Sequence, residues 1–420
     1  MRNTIGLLAL SMLLALSSCL KDTLETTYTY TMAIPVFNTS AEVRASIKNQ
    51  PSRPISSPGK MYLYGHYIFL NESGKGIHII NNSNPSAPVN EAFIAIPGCG
   101  DMAVNGNTLY ADCYTDLMVI DISNPQSVVL KTYLPGVFPD RQYVLGYAMD
   151  SGRVITDWIT RDTTITTKQS FGGGGWFGGG ILFDSRAEFI SFASNNGQKS
   201  NPTGKGGSMA RFAITHGHLY AVSTTSLQAL ALSNEGVPQW KHTTNLPWGV
   251  ETIYPFKDKL FIGANSGMHI FSIDNPSAPV KAGTFAHATV CDPVIADDHF
   301  AYITLRSGST CQGFTNQLDV VDIQSIYSPK LVKSYPLTNP HGLDKVGNLV
   351  FVCDGPDGLK VLDASNVNSI SIKATYALKG AYDVICLDKV AIVSAADGLH
   401  QLDISNINQI KELSFIGLKN

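Results

Sequence analysis

At 420 residues the chain can bury a large core, either as two or three ordinary domains or as one large β domain. Charged residues are only 15% and hydrophobic residues 44%, with 37 glycines, which suits a turn-rich β protein and excludes a disordered chain or a coiled coil. The formal net charge of −3 leaves no basic footprint for nucleic acid, and no internal apolar run reaches the roughly 18 residues of a membrane helix.

The chain opens with Met1, Arg2 and Asn3, a short positive region, followed by IGLLALSMLLAL over residues 5–16. That apolar core is too short to span a bilayer, so residues 1–18 read as a signal peptide. LSSC, residues 16–19, resembles the lipobox of bacterial lipoproteins. The resemblance implies cleavage before Cys19 and acylation (palmitate or similar chains) of that residue. Each buried methylene of such an anchor adds about 0.8 kcal/mol. Leu20 stands where an inner-membrane retention signal would have Asp, so the expected location is the cell outer membrane. KDTLE, residues 21–25, resembles the export tag of surface lipoproteins in Bacteroidota, which implies exposure at the cell surface.

Residues 19–58 read as a tether to about Thr26, a strand in TYTYTMAIPVF (27–37), a short helix in SAEVRASIKN (40–49), and a linker in QPSRPISSPG (50–59). From residue 59 one phrase recurs: VIDISNPQ at 119–126, with relatives IINNSNPS, FSIDNPSA, VVDIQSIY, VLDASNVN and QLDISNIN. Its Asp-like position falls at Asn81, Asp121, Ala231, Ser272, Asp322, Asp363 and Asp403, with gaps of 40, 110, 41, 50, 41 and 40 residues. The gap of 110 is read as two periods plus about 30 extra residues, one of its units being expanded. Eight units result.

Within each unit a short alternating run meets a Gly/Asn/Asp turn, as in DMAVNGN (101–107). A β-branched and aromatic run follows (TLYADC, KLFIGA, LVFVCD), then the third run that ends in the recurrent phrase, then a fourth after SNP-type residues. Period-two alternation bounded by Gly, Asn, Asp and Pro makes these strands, with Pro confined to turns. Asp121 and Asn124 are placed to accept hydrogen bonds from turn N–H groups, and Pro125 fixes φ. Four antiparallel strands in about 40 residues, repeated, predict an all-β fold: a β-propeller of eight four-stranded blades over residues 59–418. DLMVIDISNP, GIHIINNSNPSAP and GLKVLDASN resemble the LVIVD repeat of bacterial surface and secreted propellers, and the opening from Val43 is similar to that of Bacteroidota lipoproteins of this group. The resemblance implies a propeller in the cell envelope and implies little about activity.

Residues 140–206 depart from the pattern and are expected as an expanded third blade with a hairpin leaving the disc. FGGGGWFGGGILF (171–183) has no Gly-Lys-Ser/Thr after it, so it reads as a loop tip rather than a phosphate cradle. Trp176, flanked by glycines, is a candidate partner contact.

Six cysteines lie beyond Cys19, in a disulfide-permissive compartment. The repeat alignment places Cys99 and Cys113 at facing ends of neighbouring strands, where they could bridge; Cys291 and Cys311 could pair through a loop, and Cys353 and Cys386, in different repeats, read as buried thiols. No lipase Gly-x-Ser-x-Gly, His-Glu-x-x-His or Cys-x-x-Cys is present, and HGH (216–218) occupies a hairpin turn rather than a metal pair. The remaining constellation is positional. Asp101, Glu251, Asp292 and Asp383 begin the first strands of their units, and His341 stands close to the same place. First strands line a propeller's channel, so these groups would meet at one mouth. There they could hold a ligand or a cation such as calcium, or serve only as acceptors for loop N–H groups. The expected function is a lipid-anchored binding module for a protein or glycan, monomeric and attached to the membrane through its N-terminus. The alternatives are a polysaccharide hydrolase or lyase using the mouth acids, and a purely structural envelope protein.

Overall fold

The computed structural model of the chain describes residues 23–144, 147–148, 152–170, 204–287, 293–307 and 315–418. They fall into two compact units: residues 1–37 with 155–187, and residues 38–154 with 188–420.

The second unit is a β-propeller. Its blades are antiparallel four-stranded sheets over residues 58–95, 102–134, 212–245, 250–286, 294–336, 343–376 and 381–417, numbered 1 to 7 below. First strands of successive blades touch, and that of blade 7 touches that of blade 1, so the ring closes. The blades number seven rather than the expected eight. Each of the seven Asp-like positions falls at the end of the third strand of one blade, and among the described residues the gap of 110 holds no further blade. Its strand-forming residues are used elsewhere. Arg153–Ser170 pairs with Thr23–Thr39 in a separate two-stranded ribbon, Tyr143–Val144 pairs with Tyr147–Ala148, and Lys205–Gly206 joins blade 1.

Blade architecture follows from which faces are covered. In blade 2 the second and third strands, Thr108–Cys113 and Asp116–Asp121, are buried almost throughout, because a neighbouring blade packs on each side. Alternation survives only in the outer strand, Val129–Leu134. The core is therefore a series of inter-blade layers, such as Tyr254 and Phe261 of blade 4 against Val294, Ile295 and Tyr302 of blade 5. The recurrent phrase works as read. Asp121 Oδ1 accepts from Ser123 N at 2.8 Å and Asn124 Oδ1 from Gln126 N at 3.1 Å, with equivalents at Asp322, Asp363 and Asp403. A register shift between third and fourth strands, a β-bulge, recurs in every blade, for example between Leu130 and Thr132. The bulge bends each outer strand away from the mean plane of its sheet.

Before blade 1, Thr39 caps the helix Ser40–Ser46 in a capping box with Glu42, so the helix starts as expected, and it ends early because the chain is extended from Ile47 into a strand. The expected linker also starts differently, because Lys48–Pro51 forms a strand on the outer edge of blade 1. Blade 1 thus becomes a six-stranded sheet, with Lys205–Gly206 on its inner edge. Blade 7 takes all four strands from the end of the chain and shares none with blade 1. Their seam is closed by side chains: Ile385, Ile392 and Leu399 pack with Met61, Ile68 and Leu70, and Gln401 Nε2 donates to Asn82 Oδ1 at 2.6 Å.

The expected bridge between Cys99 and Cys113 is not made. Both are buried thiols: Cys113 donates to Pro97 O at 3.1 Å, and Asn71 Nδ2 donates to Cys99 Sγ at 3.4 Å. Cys353 and Cys386 are buried thiols as well. Cys291, Cys311, Cys19, Asp292 and Trp176 lie outside the described residues.

The first unit, by itself, is the ribbon. Thr27 and Thr166, Thr29 and Thr164, and Thr31 and Asp162 meet through side-chain hydrogen bonds at 3.3, 3.1 and 2.7 Å. Those pairs define an antiparallel register.

Candidate functional site: a filled channel and its mouth

Antiparallel strands put the fourth-to-first and second-to-third connections of every blade on one face of the disc. The mouth of the channel on that face is where the sequence gathered its candidate residues. What fills the channel is a stretch that the sequence reading sent away from the disc, residues 204–211, Gly-Lys-Gly-Gly-Ser-Met-Ala-Arg. It runs antiparallel to the first strand of blade 1, with Lys205 opposite Leu63 and Gly206 opposite Tyr62. It then ends at the mouth and turns into blade 3.

This plug bonds to first strands around most of the ring. Gly207 N donates to Met61 O of blade 1, and Ile253 N of blade 4 donates to Ala210 O. Lys205 Nζ donates to Asp344 Oδ2 of blade 6 and Cys386 O of blade 7, both at 2.6 Å. Ser208 Oγ accepts from Leu343 N at 2.6 Å and donates to Asp383 Oδ1 at 3.3 Å. Arg211 N donates to Asp101 Oδ2. Small residues are required by closeness: a Cβ on Gly207 would stand 1.8 Å from Asp383 Oδ2, and one on Gly204 2.0 Å from the Tyr62 ring.

The predicted mouth residues therefore do different jobs. Asp101 is buried and ion-paired with Lys60 at 2.5 Å. Burial raises the Asp101 carboxyl, opposed by Lys60, and lowers the Lys60 ammonium to about 8. Beside them Asp112 accepts from the N–H groups of Gly100 and Asp101 and pairs with Arg141 at 2.5 Å. Burial alone would raise Asp112, but Arg141 and those donors bring it below the usual carboxylate range. Among the described residues no cation is paired with Asp383. It accepts from Ser208, yet its Oδ2 is buried without a hydrogen-bond partner, and burial pushes its carboxyl up to about 8. A carboxyl so placed is neutral near pH 7.

Glu251 lies in the field of Arg211 and Arg306, and His341 in that of Arg306. Burial raises Glu251 while Arg211 and Arg306 oppose the shift. Burial and then the Arg306 charge lower the His341 imidazole to about 3, so it stays neutral. Its Nδ1 is buried without a partner, and its ring lies 5.1 Å from that of Tyr382. Acids and cations interleave here among the described residues. Among the described residues no group of three or more His, Cys, Asp or Glu is arranged to hold a metal ion. Asp101 is engaged by Lys60 and Asp383 by Ser208, Glu251 lies in the field of Arg211 and Arg306, and Asp292 lies outside the described residues.

The sequence reading missed the partners: Lys60, Asp112, Arg141, Lys205, Ser208, Arg211 and Asp344. It also passed over Trp248, a residue 70% exposed that stands three before Glu251 in the connection from blade 3 to blade 4. The only cue was NLPWGV, a Trp between Pro and Gly. His216 and His218 sit in the first hairpin turn of blade 3, with His216 at φ 49°, as read. On the opposite face, a shallow groove of about 430 Å³ between blades 5 and 6 is lined by Asp297, His299, Tyr302, Lys345, Asn348 and Asn366.

The LVIVD repeat model matches residues 59–93, 99–134 and 345–378, which are nearly all of blade 1, the whole of blade 2 and nearly all of blade 6. No curated protein sequence matches the chain. Among solved structures, the computationally designed protein Ika8 superposes with a TM-score of 0.51 at 9% identity, covering 88% of this chain and 91% of its own. The periplasmic gluconolactonase PpgL of Pseudomonas aeruginosa gives 0.51 at 11% identity, covering 86% and 96%. BamB from Moraxella catarrhalis gives 0.47 at 10%, covering 93% and 92%. At these identities the likeness is one of fold. The chain is a β-propeller carrying LVIVD repeats.

Proposed function

We propose that the protein is an envelope binding module: a rigid propeller, acylated at Cys19 and held at the outer membrane, that presents its mouth face to a protein or glycan. The observation that carries this reading is the plug. With residues 204–211 filling the channel and Asp101 and Asp383 buried beneath it, those two acids have no cleft in which to work on a glycosidic bond. A pair of glycosidase carboxyls needs about 5–9.5 Å of separation with substrate between them. Binding needs only exposed groups on a stiff frame, and loops held by a scaffold supply them. Trp248, exposed in the connection from blade 3 to blade 4 on the mouth face, offers a flat apolar ring suited to stacking on a sugar or on a partner's apolar side chain.

The test is a glycan array and an envelope-protein binding screen with the purified chain and its Trp248→Ala and Asp383→Asn variants. Binding that falls about tenfold or more in Trp248→Ala and holds in Asp383→Asn supports the mouth face as the site. Polysaccharide cleavage by the purified chain, abolished by Glu251→Gln, would replace this reading with an enzymatic one. Anchorage is tested separately. Cys19→Ala should leave the chain unprocessed or release it from the membrane fraction.

A further inference from the structure

The ribbon has two unlike faces. The hydroxyl ladder of Thr27, Thr29 and Thr31 with Thr164 and Thr166 occupies one. Alternation then puts Tyr28, Tyr30, Met32 and Ile34 on the other, and the register sets Tyr28 opposite Ile165 and Ile34 opposite Ile159. All six of these apolar side chains are exposed, from 36% at Met32 to 61% at Tyr28. On the same face Thr163 stands opposite Tyr30 and the exposed Arg161 opposite Met32, so the apolar stripe runs along Tyr28–Ile34 and is flanked by Ile159 and Ile165. An exposed apolar stripe on a two-stranded ribbon, which is marginal alone in water, is a surface built to be covered.

Where the chain comes from decides what covers it. The ribbon begins at Thr23, four residues beyond Cys19, a span of at most about 14 Å when fully extended. The two tyrosines lie nearest that end, and Met32 and Ile34 lie further along. We propose that this stripe is a membrane-contact surface: the ribbon lies along the bilayer, Tyr28 and Tyr30 at headgroup level, the threonine ladder facing water. Tyrosine suits that depth because its ring is apolar and its hydroxyl hydrogen-bonds at the interface. The energetics are those of an interfacial amphipathic helix: buried apolar area on one side, solvated polar groups on the other. The role is orientation, since acyl chains at Cys19 already supply attachment. The inference rests on the anchored reading above, and it is tested apart from it.

The chain from Leu20 onward keeps every described residue but neither the signal segment nor Cys19. Mixed with vesicles of phosphatidylethanolamine and phosphatidylglycerol, it should co-sediment. Tyr28→Ser/Tyr30→Ser/Ile165→Ser should lower the partition coefficient about tenfold or more. Tyr28→Trp/Tyr30→Trp should retain binding and show a blue-shifted emission on vesicles, and this pair decides the matter if the serine variant fails to fold. No sedimentation of the parent chain, equal sedimentation of the serine variant, or an unshifted emission would each overturn the proposal. So would a dimer in solution that the serine variant abolishes, since the stripe would then face a second copy. A Cys19→Ala protein still processed and membrane-bound in cells would refute the lipid anchor, whereas the vesicle result bears on the ribbon alone.

Discussion

Asp383 shows how one buried group can set a pH response. Its carboxyl titrates near 8 in the folded chain and near 3.9 when unfolded. Between those values the folded state holds a proton that the unfolded state has released, so this group makes stability fall as pH rises and adds no further loss above 8. His341 acts with the opposite sign below about 6.5, because the unfolded imidazole takes up a proton that the folded one refuses. Lys60, lowered to about 8, adds stability only as pH rises from there toward 10.5. From about 6.5 to 8 Asp383 lowers stability as pH rises, and the buried Asp101 and Glu251, raised in the same direction, act with the same sign. The thermal midpoint should decline across that window, and Asp383→Asn, which keeps an acceptor for Ser208, should make the decline shallower. Parallel profiles in the two proteins would contradict the assignment. Gly207 gives a second prediction at this scale. Gly207→Ala should cost about 3 kcal/mol by denaturant titration, because the new methyl meets Asp383 Oδ2 in a fully packed place. A loss below about 0.5 kcal/mol would mean that the plug is not seated as described.

The plug is also where element-level reasoning has most to explain. Its composition, Gly-Lys-Gly-Gly-Ser-Met-Ala, signals a loop by every local rule, and a loop is expected at the surface. It can be buried because first-strand groups take up its polar atoms: Met61 O receives Gly207 N, and Ala210 O receives Ile253 N. Lys205 reaches a carboxylate, Asp344, that is itself almost fully buried. Lys205→Met should therefore cost about 3 kcal/mol, since it leaves that carboxylate without its cation, and Lys205→Met/Asp344→Asn should recover much of the loss. Chemical denaturation of both variants checks this. Equal losses in single and double variants would show that the pair is not the source.

At the scale of the whole molecule the question is how a ring closes without exchanging a strand. Blades 7 and 1 share no sheet, and only packing and side-chain hydrogen bonds cross the seam. The plug compensates, because it pairs with blade 1 and bonds to blades 6 and 7 through Lys205 and Ser208. Loosening it should open the disc there first. In hydrogen exchange, Ser208→Ala/Lys205→Met should lose protection at Met61–Leu63 and Val384–Cys386 well before the blade 3 to blade 4 junction does. Uniform loss around the ring would contradict this role.

Sequence alone determined the blade. The recurrent phrase, its turn acceptors at Asp121 and Asn124, and the four-run pattern are local, because strand alternation and Asx turns depend on neighbours a few residues away. It also determined that first-strand starts gather at one mouth, since topology puts them there. Only the tertiary structure decided the number of blades. A spacing of 110 residues has room for an extra unit, and no local rule says whether TDWITRDTTITT pairs with a blade or with the remote strand that holds TYTYTMAIPVF. The partners of Asp101 and Asp383 were hidden for the same reason. Lys60 stands 41 residues before Asp101, and Ser208 stands 175 before Asp383. Contacts at such separations are set by ring closure and by a chain threaded through the channel, and these leave no periodic trace in the sequence.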